Sequence, residues 1–342
     1  LLQSLATTGL SLALAWAGWG IAGLYAGLVL GGLVGPGVLF WDGRRRHPEL
    51  RPPRATAGGG RGAAIVRLSG PLWLLHLSGR LSFYTDNIVV SYLLGPAWVV
   101  PFVVTQRLVT LAGGQAASLG NATWAALAEL HAQGRREDFN RRLTDLTRLA
   151  AVLALAAVVP AAVYNRAFVA LWVGPERFAG ETLTALAAVN AVLLAVFGTW
   201  AWVFAATGQV RRLVPNMLVG AGANVACSCA GTMALGLAGP LLGTAVQLVA
   251  LNLWWLPLLL RRHFATPLGP LAAALGRPLL LGVPYALGLW TLTRARPPGG
   301  WVALALGMAA AAGAFLALSW WLVFSAADRD EWRARLRALL GR

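Results

Sequence analysis

The chain has 342 residues, of which 58% are hydrophobic and only 12% are charged. This balance excludes a soluble globular domain, in which about a quarter of the residues carry charge. The formal net charge of +16 comes from 28 basic residues, all of them arginine. Because these arginines are not gathered on one soluble face, a nucleic-acid partner is not expected.

Ten apolar stretches follow one another along the chain, and most of them reach the roughly 20 residues that a helix needs to span the hydrocarbon core. Backbone polar groups cannot stay unpaired in lipid, and the alternation of a membrane barrel is absent, so these stretches are predicted to be helices. The sequence therefore predicts an all-α polytopic membrane protein with about ten transmembrane helices. The ten stretches are Leu5–Ala17, Ile21–Trp41, Ser69–Leu94, Trp98–Leu119, Leu143–Val163, Leu183–Ala206, Leu213–Leu235, Ala238–Leu260, Pro278–Leu292 and Trp301–Phe324.

The arginines predict how these helices are oriented. With both termini in the cytoplasm, as an even number of spans allows, 22 of the 28 arginines lie on the cytoplasmic side and four lie in outer loops; Arg80 and Arg107, deep inside spans, are the other two. Such an excess of basic residues is typical of cytoplasmic loops. We therefore expect a multi-pass protein of the plasma membrane with a cytoplasmic C-terminus, whose arginines contact anionic membrane lipids. The four outer arginines are Arg166, Arg177, Arg294 and Arg296.

A linker and a repeat predict the domain organisation. The polar connection Asp42–Arg67 contains adjacent prolines and three consecutive glycines, a composition typical of flexible linkers. Glycines with spacings of three and then four occur in Gly20–Gly27 and recur 216 residues later in Gly236–Gly243. This repeat predicts two six-helix lobes, and we expect about four helices of the first lobe to precede Leu1.

The resulting division of the chain is as follows. Residues 1–42 are predicted to form the last two helices of the N-terminal lobe, and residues 43–67 a basic cytoplasmic linker. Residues 68–262 are predicted to form the C-terminal six-helix lobe. Two additional helices follow in 263–326, and 327–342 is predicted to be a cytoplasmic tail.

The third and fourth predicted spans carry charged residues at membrane depth. Such residues are costly and normally mark a substrate or ion pathway. Asp86 and Arg107 each lie about ten residues from the turn at Gly95, and a rise of about 1.5 Å per residue places both about 15 Å deep. They are predicted to pair across the hairpin, either as part of a transport site or as a structural ion pair.

Arg80, Tyr84 and Asn87 extend this polar surface along the third predicted span. Together with Arg107, they are the candidate substrate-binding residues, because guanidinium groups bind phosphate oxygens in a bidentate manner. A basic lining of this kind favours an anionic substrate. The alternatives are that Arg80 extends to the cytoplasmic interface and that Tyr84, Asn87 and Asn190 make hydrogen bonds between helices.

Neither a cofactor nor a metal site is predicted. No metal-ligand cluster, P-loop or serine–histidine–carboxylate set can be assembled from the sequence. Cys227 and Cys229 lie two residues apart in one predicted helix, so no disulfide can join them. We expect no enzymatic activity; a membrane-embedded glycosyltransferase or polymerase is the alternative, but the outer loops are short.

Several stretches resemble the multidrug/oligosaccharidyl-lipid/polysaccharide exporter superfamily, and the resemblance covers nearly all of the chain. Leu81–Gly95, with its aspartate and following small residues, is similar to the seventh helix of that superfamily. Gly208–Arg212, Asn224 and Gly239, with Gly243 and Thr244, are similar to the landmarks of its eleventh and twelfth helices. The resemblance implies a two-lobe bundle like that of the multidrug and toxin extruders, with fourteen helices in the intact protein, the last ten of them in this chain.

Within this superfamily, the chain most resembles the bacterial polysaccharide-biosynthesis flippases. That resemblance implies a transporter that flips a polyprenyl-pyrophosphate-linked oligosaccharide across the inner membrane by alternating access, for surface polymers such as lipopolysaccharide. Glycosyltransferases and a polysaccharide polymerase would then be its partners. A cation-coupled multidrug exporter, in which Asp86 binds a proton or sodium ion, and a peptidoglycan-precursor flippase are the alternatives.

Overall fold

The computed structural model describes residues 2–46, 69–70, 73, 85–326, 328–330, 333–334 and 337. These residues are almost entirely helical and contain no β-strand. Seven helical stretches among them are long and apolar enough to cross a membrane, which confirms the prediction of an all-α membrane protein. The chain divides into two compact units, Leu1–Ile65 (unit 1) and Val66–Arg342 (unit 2), and the division lies within the segment 43–67 that was predicted to be a linker.

The number of stretches differs from the predicted ten for two reasons. Two of the seven stretches, of 44 and 55 residues, each contain two predicted spans, because only a short turn at a glycine separates the two helices. Half of the predicted span Ser69–Leu94 lies outside the described residues. The arrangement of ten helices in two lobes stays a prediction.

Unit 1 is an antiparallel helical hairpin. Helix α1 (Leu2–Leu14) continues into a π-helical turn, Ala15–Trp19, and α2 (Gly20–Arg46) runs back along it. The chain reverses at Gly18 and Gly20, whose φ values of 89° and 53° favour glycine. The two backbones approach closely, because a Cβ atom at Gly27 would lie less than 3.0 Å from Ser11.

Unit 2 holds the remaining described helices. Helices α5 and α7 lie at its centre. In their most apolar 18-residue segments, 67% and 61% of the residues are buried, compared with 22% in α12. Helices α9 and α10 are joined by a π-helical turn, Leu248–Asn252. The helices are α3 (85–93), α4 (Val99–Ala132), α5 (Arg136–Val163), α6 (Asn165–Val173), α7 (Glu181–Ala206), α8 (Val214–Leu235), α9 (Gly239–Gln247), α10 (Leu253–Phe264), α11 (Leu268–Ala295) and α12 (Trp301–Leu322).

The hairpin of α8 and α9 repeats the local geometry of unit 1. Gly236 has φ and ψ of 62° and −134°, and Gly20, 216 residues earlier, has 53° and −135°. The Ser228 hydroxyl donates to the Pro240 carbonyl at 3.2 Å. The Ser11 hydroxyl likewise donates at 3.2 Å to the carbonyl of Leu24, which is again 216 residues before Pro240. The glycine pattern in the sequence therefore corresponds to two hairpins closed in the same way.

Aromatic contacts gather the connecting segments of unit 2 at two ends. At one end, the Phe264 ring lies 5.2 Å from the Phe139 ring and 5.3 Å from the Phe204 ring, which joins the start of α5 to the ends of α7 and α10. We call this the basic end, because it carries Arg211, Arg212, Arg261 and Arg262. At the opposite end, Phe168 contacts Trp301 at 5.8 Å.

The segment after α12 is fixed to α5 by an ion pair. Asp328 pairs with Arg148, and both side chains are mostly buried. Asp328 also accepts hydrogen bonds from the backbone nitrogen and hydroxyl of Ser325, at 2.8 Å and 2.7 Å. Burial alone would raise the pKa of the Asp328 carboxyl, but the Ser325 hydrogen bonds and the Arg148 charge together hold this pKa below its ordinary value of 3.8.

We expect Asp328→Asn to lower the free energy of unfolding by about 1 kcal/mol at pH 7, the upper value for a partly exposed ion pair. Because folding depresses this pKa, the contribution is complete above pH 3.8 and is lost as the pH falls through the folded-state value. Thermal melting in detergent at several pH values measures the difference between wild type and variant. Equal melting temperatures at pH 7 would contradict the role of this pair.

Candidate functional site

Unit 2 contains a cavity of about 520 Å³ that is lined by α3, α4, α7, α8, α9 and α10. Most of its lining is apolar, as expected inside a bundle of membrane-spanning helices. The polar side chains in the lining come from five of these helices and from the π-helical turn between α9 and α10: Asp86, Gln106, Thr110, Asn190, Asn216, Asn224, Thr244, Gln247 and Asn252.

Asp86 is the only carboxylate in the described lining of the cavity. Its exposed fraction is 6%, and its Oδ1 atom accepts a hydrogen bond of 3.2 Å from the Ser228 hydroxyl on α8. That hydroxyl is shared, because it also lies 3.2 Å from the Pro240 carbonyl oxygen. Among the described residues, the donor to Asp86 is this one shared neutral hydroxyl, which does not compensate for burying a negative charge. The site therefore favours either a proton on the carboxylate or a bound cation.

Asn224 lies one helical turn before Ser228 and adds a second oxygen to this region. Its amide nitrogen donates to the Thr244 hydroxyl at 2.9 Å, which links α8 to α9. Its Oδ1 atom is buried and has no hydrogen-bond partner among the described residues. Carboxylate, amide and hydroxyl oxygens are the ligand types that hard cations prefer.

Asn190 on α7 has a similar role at the other wall of the cavity. Its amide nitrogen donates to the Leu241 carbonyl at 2.8 Å, which confirms the predicted hydrogen bond between helices. Its Oδ1 atom is also buried without a partner in the described part of the chain. Asn190 and Asn224, on two sides of the cavity, thus share one pattern. In each, the amide nitrogen donates a hydrogen bond to another helix and the buried amide oxygen has no partner among the described residues.

Of the predicted site residues that the structure describes, only Asp86 lines the cavity. Arg107 is exposed on α4 and Asn87 is half-buried, and neither is part of the lining. Arg80 and Tyr84 lie outside the described residues, so their predicted roles stay predictions.

The predicted ion pair between Asp86 and Arg107 is wrong. On α4 the cavity side is formed by Gln106, Thr110 and their neighbours at helical spacing. Arg107 is one residue further along, which turns it by about 100° around the helix. Asp86 instead faces α8, where Ser228 is its hydrogen-bond donor. The expected basic lining is also not found here, because the described lining contains no arginine.

Sequence reasoning did not single out Ser228, and it named Asn224 and Thr244 only as landmarks of the superfamily resemblance. One signal could have found the first two: they are four residues apart in an apolar span, and therefore on one face of a helix. No local pattern, however, indicates that this face meets Asp86, which is 142 residues earlier in the chain. Among the described residues, no group of three or more histidine, cysteine or acidic side chains could hold a metal ion.

Searches with family models, curated proteins and solved structures found no match to this chain. The resemblance to the exporter superfamily therefore rests on the sequence motifs alone.

Proposed function

We propose that this protein is an ion-coupled membrane transporter whose cargo is a polyprenyl-pyrophosphate-linked oligosaccharide, flipped across a bacterial inner membrane by alternating access. The observation that carries the transport proposal is the buried Asp86 carboxylate in a mostly apolar cavity between membrane-spanning helices. Ionisable side chains in such positions are rare and are associated with ion and substrate pathways. The superfamily resemblance supports the choice of cargo.

The cavity suits the coupling ion rather than the cargo. Its volume of about 520 Å³ is in the range of pockets for small molecules, and a lipid-linked oligosaccharide is much larger. Asp86 supplies the negative charge, while Asn224 and Asn190 supply neutral amide oxygens. A proton or a monovalent cation bound to Asp86 would remove the cost of its buried charge.

The hydrogen bond between Ser228 and Asp86 couples ion binding to the conformation of the protein. Its hydroxyl donor, Ser228, also closes the hairpin of α8 and α9 through the Pro240 carbonyl. Charging or neutralising the carboxylate therefore changes the competition for that hydroxyl. An ion shifts a conformational equilibrium only as far as its affinities for the two states differ. The shared hydrogen bond of Ser228 makes the affinity of Asp86 for the ion depend on how the hairpin of α8 and α9 is closed.

The exposed Arg107 is the candidate contact for the pyrophosphate. It lies on α4 beside the stripe that lines the cavity. A guanidinium group in a membrane-spanning helix binds phosphate oxygens strongly. The glycosyltransferases that build the oligosaccharide and the polymerase that consumes it are the expected partners.

We expect Arg107→Gln to lower the rate of oligosaccharide flipping by roughly tenfold, because one charge-assisted hydrogen bond to the cargo is lost. Ion binding at Asp86 should not change. Proteoliposomes with a fluorescent lipid-linked oligosaccharide measure the flipping rate. Arg166→Gln, which removes an exposed arginine on α6, is the matched control. Equal rates in both variants would remove Arg107 from the cargo site.

A cation-coupled drug exporter is the second candidate function. The specific observation in its favour is that the described cavity lining combines apolar side chains with one carboxylate and no basic residue, which suits a small lipophilic cation. The same proteoliposomes, loaded with ethidium, discriminate the two. Flipping of the oligosaccharide under a sodium or proton gradient supports the flippase, and gradient-driven ethidium transport alone supports the exporter. Sugar transfer by the purified protein would overturn both.

A further inference from the structure

Four basic side chains converge at the basic end of unit 2. Arg212 lies in the short connection between α7 and α8, and Arg261, Arg262 and His263 form the last turn of α10. One guanidinium nitrogen of Arg212 is 2.6 Å from Nδ1 of His263. The three arginines are exposed, while His263 is half-buried. We call these four residues the basic cluster.

The positive charge of the basic cluster is not balanced by its own part of the chain. No aspartate or glutamate occurs between Thr182 and Ala327. The ends of α4 and α5 that pack on Phe264 carry Glu129, Glu137 and Asp138, and Asp138 already pairs with Arg135 and Arg141. In the described part of the structure, no ion pair involves an arginine of the basic cluster. Its counter-charge is therefore expected from outside this set of helices.

The basic cluster is held in place by aromatic packing. The His263 ring lies edge-on to the Phe204 ring at 6.4 Å, and the adjacent Phe264 ring packs between Phe139 and Phe204. Arg212 contacts the ring of His263. An arginine that only enforces membrane topology needs no such fixed position.

An apolar surface runs directly from the basic cluster along α10. Trp254 and Leu258 precede Arg262 by eight and four residues, so the three share one helix face. Trp254 is 66% exposed and Leu258 is 45% exposed. Because α10 is part of a membrane-spanning stretch, its end lies at headgroup level and this face lies at the depth of the acyl chains.

We propose that the basic cluster is a binding site for an anionic phospholipid. The phosphate contacts Arg212, Arg261 and Arg262, and one acyl chain lies along Leu258 and Trp254. Because the Arg212 guanidinium can only donate, His263 accepts from it at Nδ1 and stays neutral, and a bound phosphate offsets the repulsion among the three guanidinium groups. This site does not depend on the proposed transport function, since it uses none of the cavity residues.

The experiment is native mass spectrometry of the full chain after exchange into phosphatidylglycerol or phosphatidylcholine. We expect wild type to retain phosphatidylglycerol selectively, and Arg212→Gln/Arg262→Gln to bind it roughly tenfold more weakly. Arg166→Gln/Arg296→Gln, which removes the same charge at the opposite end, is the matched control and should bind as wild type does. Equal weakening in both double variants would show general attraction to anionic lipid and overturn the site.

Two further variants test whether the glutamine variant is folded and whether Trp254 contacts the acyl chain. Arg212→Lys/Arg262→Lys preserves the charge and should retain more phosphatidylglycerol than the glutamine variant, which separates lost binding from misfolding. Trp254→Ala should weaken retention of long-chain phosphatidylglycerol and leave the binding of its short-chain form unchanged. No effect of Trp254→Ala on the long-chain lipid would overturn the proposed acyl-chain contact.

Discussion

Asp86→Asn is expected to abolish ion-coupled transport and to leave the protein folded in the membrane. Asparagine has nearly the same shape and can still accept the hydrogen bond from Ser228, so the packing of α3 against α8 is kept. Only the negative charge is lost. Removing one partner of a buried charge pair costs about 3 to 5 kcal/mol, which corresponds to a loss of cation affinity of roughly a hundredfold or more.

Thermal stability identifies the coupling ion without a transport assay. A ligand that binds only the folded state stabilises it by about 2.7 kcal/mol at a hundred times its dissociation constant. If sodium is the ion, sodium but not choline should raise the melting temperature of wild type, and neither should change that of Asp86→Asn. If the ion is a proton, sodium should have no effect on either protein and flipping should depend on the pH gradient.

The control for this experiment is Asn87→Ala. Asn87 is next to Asp86 in sequence but is not part of the cavity lining, and we expect its variant to keep the ion response of wild type. Full gradient-driven transport by Asp86→Asn would exclude Asp86 as the coupling residue. It would also remove the observation on which the proposed transport function depends.

The sequence predicts features that depend on local chemistry. Gly20 and Gly236 mark the two reversals, because a positive φ at these positions favours glycine. The arginines of the connecting segments predict how the segments group at the two ends of unit 2, because charged groups cannot stay in the hydrocarbon region. Contacts such as Phe139 with Phe264 show that grouping.

The site could be predicted only in part, because it depends on which helices are neighbours. Depth along the helices placed Asp86 and Arg107 at the same level, but depth does not determine the rotation of either helix. The shift of one residue between Gln106 and Arg107 decides which side chain faces the cavity. The partner that Asp86 does contact, Ser228, comes from a helix far along the chain, and hydrophobic periodicity carries no information about such a pair.

Gly243→Ala is expected to lower the free energy of unfolding by about 1 to 3 kcal/mol, the usual cost of overpacking, and to disturb the ion site. A Cβ atom at Gly243 would lie less than 3.0 Å from the backbone of Ser228, which cannot give way as a flexible side chain could. Helix α9 must then move away from α8, and Ser228 loses its geometry towards Asp86 and Pro240. Thermal melting with and without the coupling ion measures both effects.

Two controls separate packing from the ion site. Gly222→Ala, on the exposed side of α8 with no atom near the added Cβ, should be unchanged or slightly more stable, because alanine favours the helix by about 1 kcal/mol. Gly27→Ala repeats the clash in the hairpin of unit 1, against Ser11, and should destabilise that hairpin while the protein keeps its stabilisation by the ion. If Gly243→Ala kept the full ion response despite its lower stability, the hydrogen bond between Ser228 and Asp86 would not hold the ion site together.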